Sequence, residues 1–268
     1  MARPDPTELR DLALEVAEPI GQRLRLIGRD RALLQETKSS ATDLVTEVDR
    51  AVEAELVQGL LAARADDGVL GEEGAARPTR SGVVWVIDPI DGTTNFVYGY
   101  PGYNISVAAQ VDGETVAGVV VDVVHDEVFT AVGGSGATCN GRPIRCNQGN
   151  DLATALVATG FGYTAEQRAR QARLLTSVLP AVRDIRRGGA AAIDLCWLAC
   201  GRVDAYYEEG LKPWDLAAGG LVAVEAGATV AEIPGPAGLP ALTVAAPPGL
   251  FDALRQLVTQ ADDAGQVP

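Results

Sequence analysis

The chain has 268 residues, 47 % of them hydrophobic and 22 % charged, enough to fold as one large or two modest units around a core of useful size. There are 36 acidic residues against 22 basic ones, and the net charge of −14 disfavours contact with a nucleic-acid backbone or an anionic membrane surface. No apolar run approaches the ~18–20 residues that a membrane-spanning helix needs, and the acidic, amphipathic start lacks a signal-peptide pattern, so a cytoplasmic protein is expected.

Residues 7–28 carry apolar side chains at helical spacing and predict an amphipathic helix. The stretch KSSATDLVTEVDRAVEAELVQGLLAARADDG predicts a polar lead-in and a second helix, with Thr46 and Asp49 spaced as a capping box at its start. GVLGEEG reads as a short strand ending in a turn, and VVWVI (83–87) as a strand that runs into carboxylates. NISVAAQV, ETVAGVVVDVV and EVFTAV follow as β-rich runs joined by turn signals such as Asp112-Gly113, and CNGRPI holds an Asn-Gly turn. To about residue 150 the pattern predicts two helices packed on an antiparallel sheet.

The rest alternates. TALVATGF reads as a strand, 165–179 as a helix ended by Pro180, 190–200 as a helix and VDAYYE as a strand. Residues 214–226 form a helix opened by Pro213 and closed by Gly227, TVAEI and LTVAA are strands, and 248–261 is a last helix. Such alternation predicts an α/β layer with a mixed sheet. No Pro/Ser-rich linker separates the halves, so one domain over 1–268 is expected, with parts 1–150 and 151–268 and a site at their junction.

Cys139, Cys146, Cys196 and Cys200 form no CxxC pair, and His125 is the one histidine. Cys196 and Cys200 could share a helix face, but two thiols make an incomplete zinc site, and free thiols in a reducing compartment are the better reading. His125 stands between strand-like runs with no nucleophile motif nearby, a turn or surface position.

The chemistry lies with the acids. Asp49, Glu72, Glu73, Asp88, Asp91 and Asp215 each sit near a strand or helix end, and each alone has a structural explanation as a cap, a solvated turn or a partner for a helix dipole. Together they ask for another. In WVIDPIDGTTNFVYGYP (85–101), Asp88 follows an apolar strand and precedes a proline, Asp91 follows three residues later, Gly92 lets the chain turn, and Thr93 and Thr94 open a helix. A helix start offers N–H groups to an anion, but neighbouring carboxylates repel a phosphate unless cations lie between. Hard oxygen donors without His or Cys point to Mg2+, and a pair of ions bridging carboxylates and phosphate describes a phosphoester hydrolysis site.

GEEG, WVIDPIDGTTNFVYGYP and KPWDLAAGGLVAVEAGA, with KSSATDLVTEVD and VDAYYEEG, resemble the inositol monophosphatase family of Mg2+-dependent, lithium-sensitive phosphatases, in family order from about residue 38 to 230. The resemblance implies a mixed α/β, five-layer αβαβα sandwich and two or three Mg2+ ions. Glu72, Asp88 and the Ile90 carbonyl would hold the first ion, and Asp88, Asp91 and Asp215 the second, with Glu72 also serving a weaker third. Asp49 and Thr93 resemble the pair that orients and deprotonates the attacking, metal-activated water. Gly92 and Thr93 N–H groups would hold the phosphate, and Lys38 matches a lysine near it. Asp91, Asp215, Glu208 and the loop Gly189, Ala190, Ala191 would meet the alcohol part. Ala190 departs from the family, which usually has a small hydroxyl residue there, and this puts substrate preference in doubt.

The resemblance implies a small phosphorylated polyol as partner, neither nucleic acid nor membrane, and a homodimer. Hydrolysis of myo-inositol 1-phosphate is expected. Relatives act on histidinol phosphate, fructose 1,6-bisphosphate or adenosine 3′,5′-bisphosphate, and Arg186 and Arg187 before the loop keep a bisphosphate open. A non-catalytic regulatory protein on this scaffold is disfavoured by the complete ligand set.

Overall fold

The computed structural model describes residues 4–29, 41–235 and 239–264, and Lys38 lies outside them. Helices α1 (Pro6–Arg29) and α2 (Ala41–Ala63) lie where helical spacing puts them. Helix α2 starts at Ala41, so Thr46 and Asp49 lie inside it and not at its start, where their spacing had placed them. The reason is the polar lead-in: ATD continues the helical turn instead of preceding it.

Strands β1 (Gly68–Gly71), β2 (Ala76–Arg77) and β3 (Val83–Asp91), the short helix α3 (Thr93–Tyr98), and strands β4 (Asn104–Val111), β5 (Glu114–Asp122), β6 (Glu127–Val132), β7 (Gly136–Cys139) and β8 (Arg142–Ile144) follow. The strands form one sheet in the order β2-β1-β3-β4-β5-β6-β7-β8. It is antiparallel except between β1 and β3, which run parallel, a departure from the wholly antiparallel sheet expected. That parallel pairing ends with Gly71 beside Ile87, and Glu72 N donates to Ile87 O at 3.1 Å. Glu72, just past the end of β1, is thereby set beside Asp88, which continues β3. The β7–β8 hairpin turns at Asn140 (φ 49°) and Gly141 (φ 71°), the positive pair that a two-residue turn of this kind requires.

The second sheet comes from β9 (Leu156–Thr159), β10 (Asp184–Arg186), β11 (Ala205–Glu209), β12 (Thr229–Ile233) and β13 (Leu242–Ala246), in the order β10-β9-β11-β13-β12. It is mixed: β9 is parallel to β10 and β11, and β13 is antiparallel to β11 and β12. Helices α4 (Ala165–Val178), α5 (Ala191–Ala199), α6 (Pro213–Glu225) and α7 (Pro248–Ala264) complete the second half.

Side-chain alternation sets the layering. Trp85 and Ile87 face the core shared with α1 and α2, while Val86 faces α5 and α6. Val157 and Tyr207 face α4 and α7, while Ala158 and Tyr206 face α5 and α6. The stack is thus α1/α2, first sheet, α5/α6, second sheet, α4/α7: the five-layer αβαβα sandwich. Helices α5 and α6 press closely, since a Cβ on Gly219 would stand 2.8 Å from Ala192 O.

His125 sits in a turn, its Nδ1 2.8 Å from Asp122 Oδ2 and its ring edge-on to Trp197. The four cysteines are free. Among the described residues, no helix is long and apolar enough to cross a membrane.

Candidate active site

Two aspartates three apart on a regular strand point to opposite faces. Asp88 and Asp91 do not, because β3 bulges between them. Asp88 pairs with Ser106 and Asp91 with Asn104, so three steps on β3 match two on β4. Pro89 falls inside this step, and a residue without an N–H cannot donate to the ladder. Ser106 and Asn104 share a face of β4, and both aspartates therefore share one too, turned toward α5 and α6. Ser106 Oγ donates to Trp214 O at 3.2 Å on that side.

Asp91 is held on three sides. Asn104 Nδ2 donates to its Oδ2 at 2.8 Å, Ala192 N to the same oxygen at 2.8 Å, and Ala191 N to its Oδ1 at 3.2 Å. It thereby caps helix α5, whose own N-cap residue, Ala190, has no side-chain acceptor. Asp215, in the first turn of α6, accepts from Lys212 N at 2.7 Å. Asp88 and Glu72 share a carboxyl–carboxyl hydrogen bond, and the Oδ1 of Asp88 is buried with no hydrogen-bond partner.

Burial pushes every one of these acids upward, and mutual repulsion adds to it at all but Asp215. Asp91 is raised to about 7 by burial and then by the charge of Asp215, against the opposing hydrogen bonds. Asp49 rises to about 8 through burial, Glu73 and Glu72, and it is only 2 % exposed. Glu208 rises to about 7 through burial, although Tyr206 donates to it at 2.7 Å. Burial raises Glu72 and Asp215 as well, and Asp88 most strongly, with Asp91 and Glu72 adding repulsion.

A cavity of about 430 Å3 opens beside this cluster. Glu72, Asp91, Gly92, Gly189, Ala190, Ala191, Glu208 and Asp215 line it, eight residues that the sequence places up to 143 positions apart (215 − 72). Asp88 lies buried beneath, bonded to Glu72, and Asp49 approaches from α2 within reach of the charges of Glu72 and Glu73. Ile90 is fully buried, and its carbonyl accepts the Thr93 hydroxyl at 3.0 Å; that hydroxyl is turned here to Ile90 and not to Asp49. Gly92 has φ 89°, and a Cβ there would meet Gly102 O at 2.7 Å, so the turn after Asp91 needs glycine twice over.

Several contributors escaped the sequence reading. Glu53, one helical turn beyond Asp49, accepts from Glu73 N and Ala75 N, each at 2.9 Å, and fixes the turn that carries Glu72. Its i+4 spacing from Asp49 was the available signal. Tyr163, Gln167 and Lys212 line the cavity too, as does Arg187, which the sequence had offered for a second phosphate, and Tyr163 is 88 % exposed at its mouth. Arg186 turns away to Asp184 at 2.7 Å. A cavity of equal volume along α6 and β12 is walled mainly by Leu216, Leu221, Val224 and Val230; it shares Lys212 but holds none of these acids.

The donor set fits a hard divalent cation. Its ligands are carboxylate and carbonyl oxygens, it gathers excess negative charge in a buried place, and Asp88 offers an unpartnered oxygen. Among the described residues, no three His, Cys, Asp or Glu side chains stand ready-gathered as a metal cage.

The model of the inositol monophosphatase family matches residues 5–262. The chain is 47 % identical to an inositol-1-monophosphatase of Mycobacterium leprae (strain TN), over 93 % of each protein. It is 39 % identical to a protein of Pasteurella multocida (strain Pm70) named Nus factor SuhB, over 84 % of this chain and 85 % of that one. The solved structure of Mycobacterium tuberculosis SuhB superposes with a TM-score of 0.83 at 42 % identity, over 97 % of this chain and 98 % of that one.

Proposed function

Since the chain belongs to the inositol monophosphatase family, a family of phosphoric monoester hydrolases, we propose that it is a Mg2+-dependent phosphatase that hydrolyses myo-inositol 1-phosphate to inositol and phosphate. The observation that carries this is the bulge in β3. It turns Asp88 and Asp91 to one face, where Glu72 and Asp215 join them at a cavity of about 430 Å3, ample for a phosphorylated polyol.

Glu72, Asp88, Asp91, Asp215 and the Ile90 carbonyl would hold the ions. Bound there, Mg2+ supplies positive charge against the phosphoryl oxygens and lowers the pKa of water. The protein's own groups do the rest. Gly92 and Thr93 N–H groups hold the phosphate at the turn. Thr93, on swinging from Ile90 toward Asp49, aligns the attacking water behind phosphorus. The water oxygen forms a bond to phosphorus while the ester P–O bond breaks, and the leaving alkoxide takes a proton from a second water, whose hydroxide is neutralised by the proton that Asp49 later gives up. Asp49 takes the water's proton by way of Thr93, and burial, with the charges of Glu73 and Glu72, holds it at about 8, near the range a base needs. Glu208 and the loop Gly189–Ala191 receive the hydroxyls of the alcohol part.

Two-part organisation of one domain, 1–150 and 151–268, goes with this reading, as do lithium inhibition, a homodimer and a cytoplasmic location. A second reading has one specific observation behind it. Arg187 lines the cavity, so a bisphosphate, such as fructose 1,6-bisphosphate or adenosine 3′,5′-bisphosphate, would find a cation for its second phosphate. The Nus factor name of a relative adds a regulatory role as a further alternative. Phosphate release measured with and without Mg2+ on inositol 1-phosphate, histidinol phosphate and both bisphosphates decides among these. The first is expected to have the highest kcat/KM. Release from none of them would overturn the enzymatic reading.

A further inference from the structure

Asn95 has no part in the chemistry above, yet it ties two halves of the site together. It belongs to α3, is 6 % exposed, and does not line the cavity. Its side-chain nitrogen donates to Gly102 O at 2.6 Å and to Gly188 O at 2.9 Å. An amide has two protons on that nitrogen, so both are used, and on segments far apart in sequence.

Each acceptor backs one working part. Gly102 O is the atom that a Cβ on Gly92 would strike at 2.7 Å, so it buttresses the turn proposed to hold phosphate. Gly188 opens the loop that runs through Gly189 and Ala190 into α5. Asp194 Oδ1 lies 2.5 Å from where a Cβ on Gly188 would stand, so the loop is pressed from below as well. The far end of that loop is already fixed, because Asp91 accepts from Ala191 N and Ala192 N. Asn95 supplies the second fixed point. Between the two, Ala190 Cβ reaches to 3.1 Å from the position of a Gly92 Cβ.

We propose that Asn95 is a positioning residue that sets the spacing between the phosphate turn and the loop that reads the alcohol part of the substrate. Ending α3 does not need its side chain: the turn there closes through Gly99 N to Phe96 O and Tyr100 N to Asn95 O, both main-chain bonds. Removing the amide leaves Gly102 O and Gly188 O without their shared donor and frees the N-terminal end of the loop. A substrate gripped at both phosphate and hydroxyls then meets a misplaced loop. One gripped at the phosphate alone loses little, because the phosphate turn keeps its own main-chain bond, Phe96 N to Gly92 O at 3.0 Å.

The inference rests on the reading that Gly189–Ala191 meets the alcohol part, and its test separates the two. Steady-state kinetics with Mg2+ compare inositol 1-phosphate with phenyl phosphate, which has no hydroxyls to grip. For Asn95→Ala, KM for inositol 1-phosphate is expected to rise about tenfold with kcat changed less than about threefold, while kcat/KM for phenyl phosphate stays within about twofold. Asn95→Ser, which keeps one donor, should fall between. Equal losses on both substrates, or no change on either, would overturn the proposal, as would failure of both variants to fold. An unsubstituted protein that prefers neither substrate would instead remove the loop reading beneath it.

Discussion

The two walls of the cavity are built in opposite ways. One, from residues 49–93, consists of acids buried to 8 % exposure or less at Asp49, Asp88 and Asp91, delivered by a helix interior and a bulged strand. The other, from residues 161–215, is carried largely by loops and helix starts and includes the exposed Tyr163 and the cation Arg187. Acids crowded at a fixed spacing serve a reaction that tolerates little displacement. A wall of loops serves recognition, where a change of one side chain alters the preferred substrate without touching the reaction.

The hardest blow to this contrast falls on the first wall. Asp88→Asn keeps the volume of the side chain but removes the acid with the unpartnered oxygen. Mg2+-dependent phosphate release should fall by at least about 10²-fold on every substrate alike, since both proposed ions lose a ligand. The metal-free variant should fold and unfold at an equal or higher temperature, because a buried, repelled carboxyl is gone. Turnover near that of the unsubstituted protein would sink the assignment.

Arg187→Ala strikes the second wall and should do something different. Its effect should depend on the substrate: about tenfold in kcat/KM for a bisphosphate and less than about twofold for inositol 1-phosphate. Equal effects on both would show that Arg187 steers any phosphate and reads none.

Much of the first wall was legible from sequence because its signal is local. An apolar strand, two aspartates, a glycine and two threonines fall within ten residues, Trp85 to Thr94. What was not legible is how two aspartates three apart come to share a face, since a bulge is a property of two strands and their register. Asp49 was placed at a helix start because Thr46 and Asp49 have cap spacing, but spacing cannot say how far a polar lead-in continues the helix. The parallel β1–β3 pairing that sets Glu72 beside Asp88 is likewise invisible in either segment alone. The second wall was least legible. Asn95 acts across a contact of about ninety residues' separation, and nothing in its local sequence marks it; Arg187 was visible as a cation before the loop, but not which way it faces.

Charge in the first wall also makes the protein's stability answer to pH. Asp91 and Asp49 stand at about 7 and about 8 against an ordinary 3.8, so the folded state holds these protons more tightly than the unfolded chain. Their contribution to stability is therefore full below the ordinary value and is lost as pH rises through the folded values. Metal-free protein should melt several degrees lower at about pH 8.5 than at about pH 5, and Mg2+ should restore more at the higher pH, where its ligands are ionised. Calorimetry at both pH values with and without Mg2+ checks this. A melting temperature that climbs with pH in metal-free protein would contradict it.

The smallest effect is expected where the two walls meet. Ala190 is the N-cap of α5 and offers no acceptor, and Asp91, from the opposite wall, takes the Ala191 and Ala192 N–H groups instead. A serine at 190 therefore finds one of the two usual capping donors, Ala192 N–H, already occupied, and Ile193 N–H is the remaining one. If the walls divide their labour as described, the new hydroxyl is left for the substrate, and Ala190→Ser should lower KM for inositol 1-phosphate about threefold, the worth of one neutral hydrogen bond. Its melting temperature should then move by less than about 1 °C, below the shift of a newly made cap. The opposite pair of results, a higher melting temperature with KM unmoved, would mean that the hydroxyl turns inward to Ile193, and that at this position helix capping outweighs recognition.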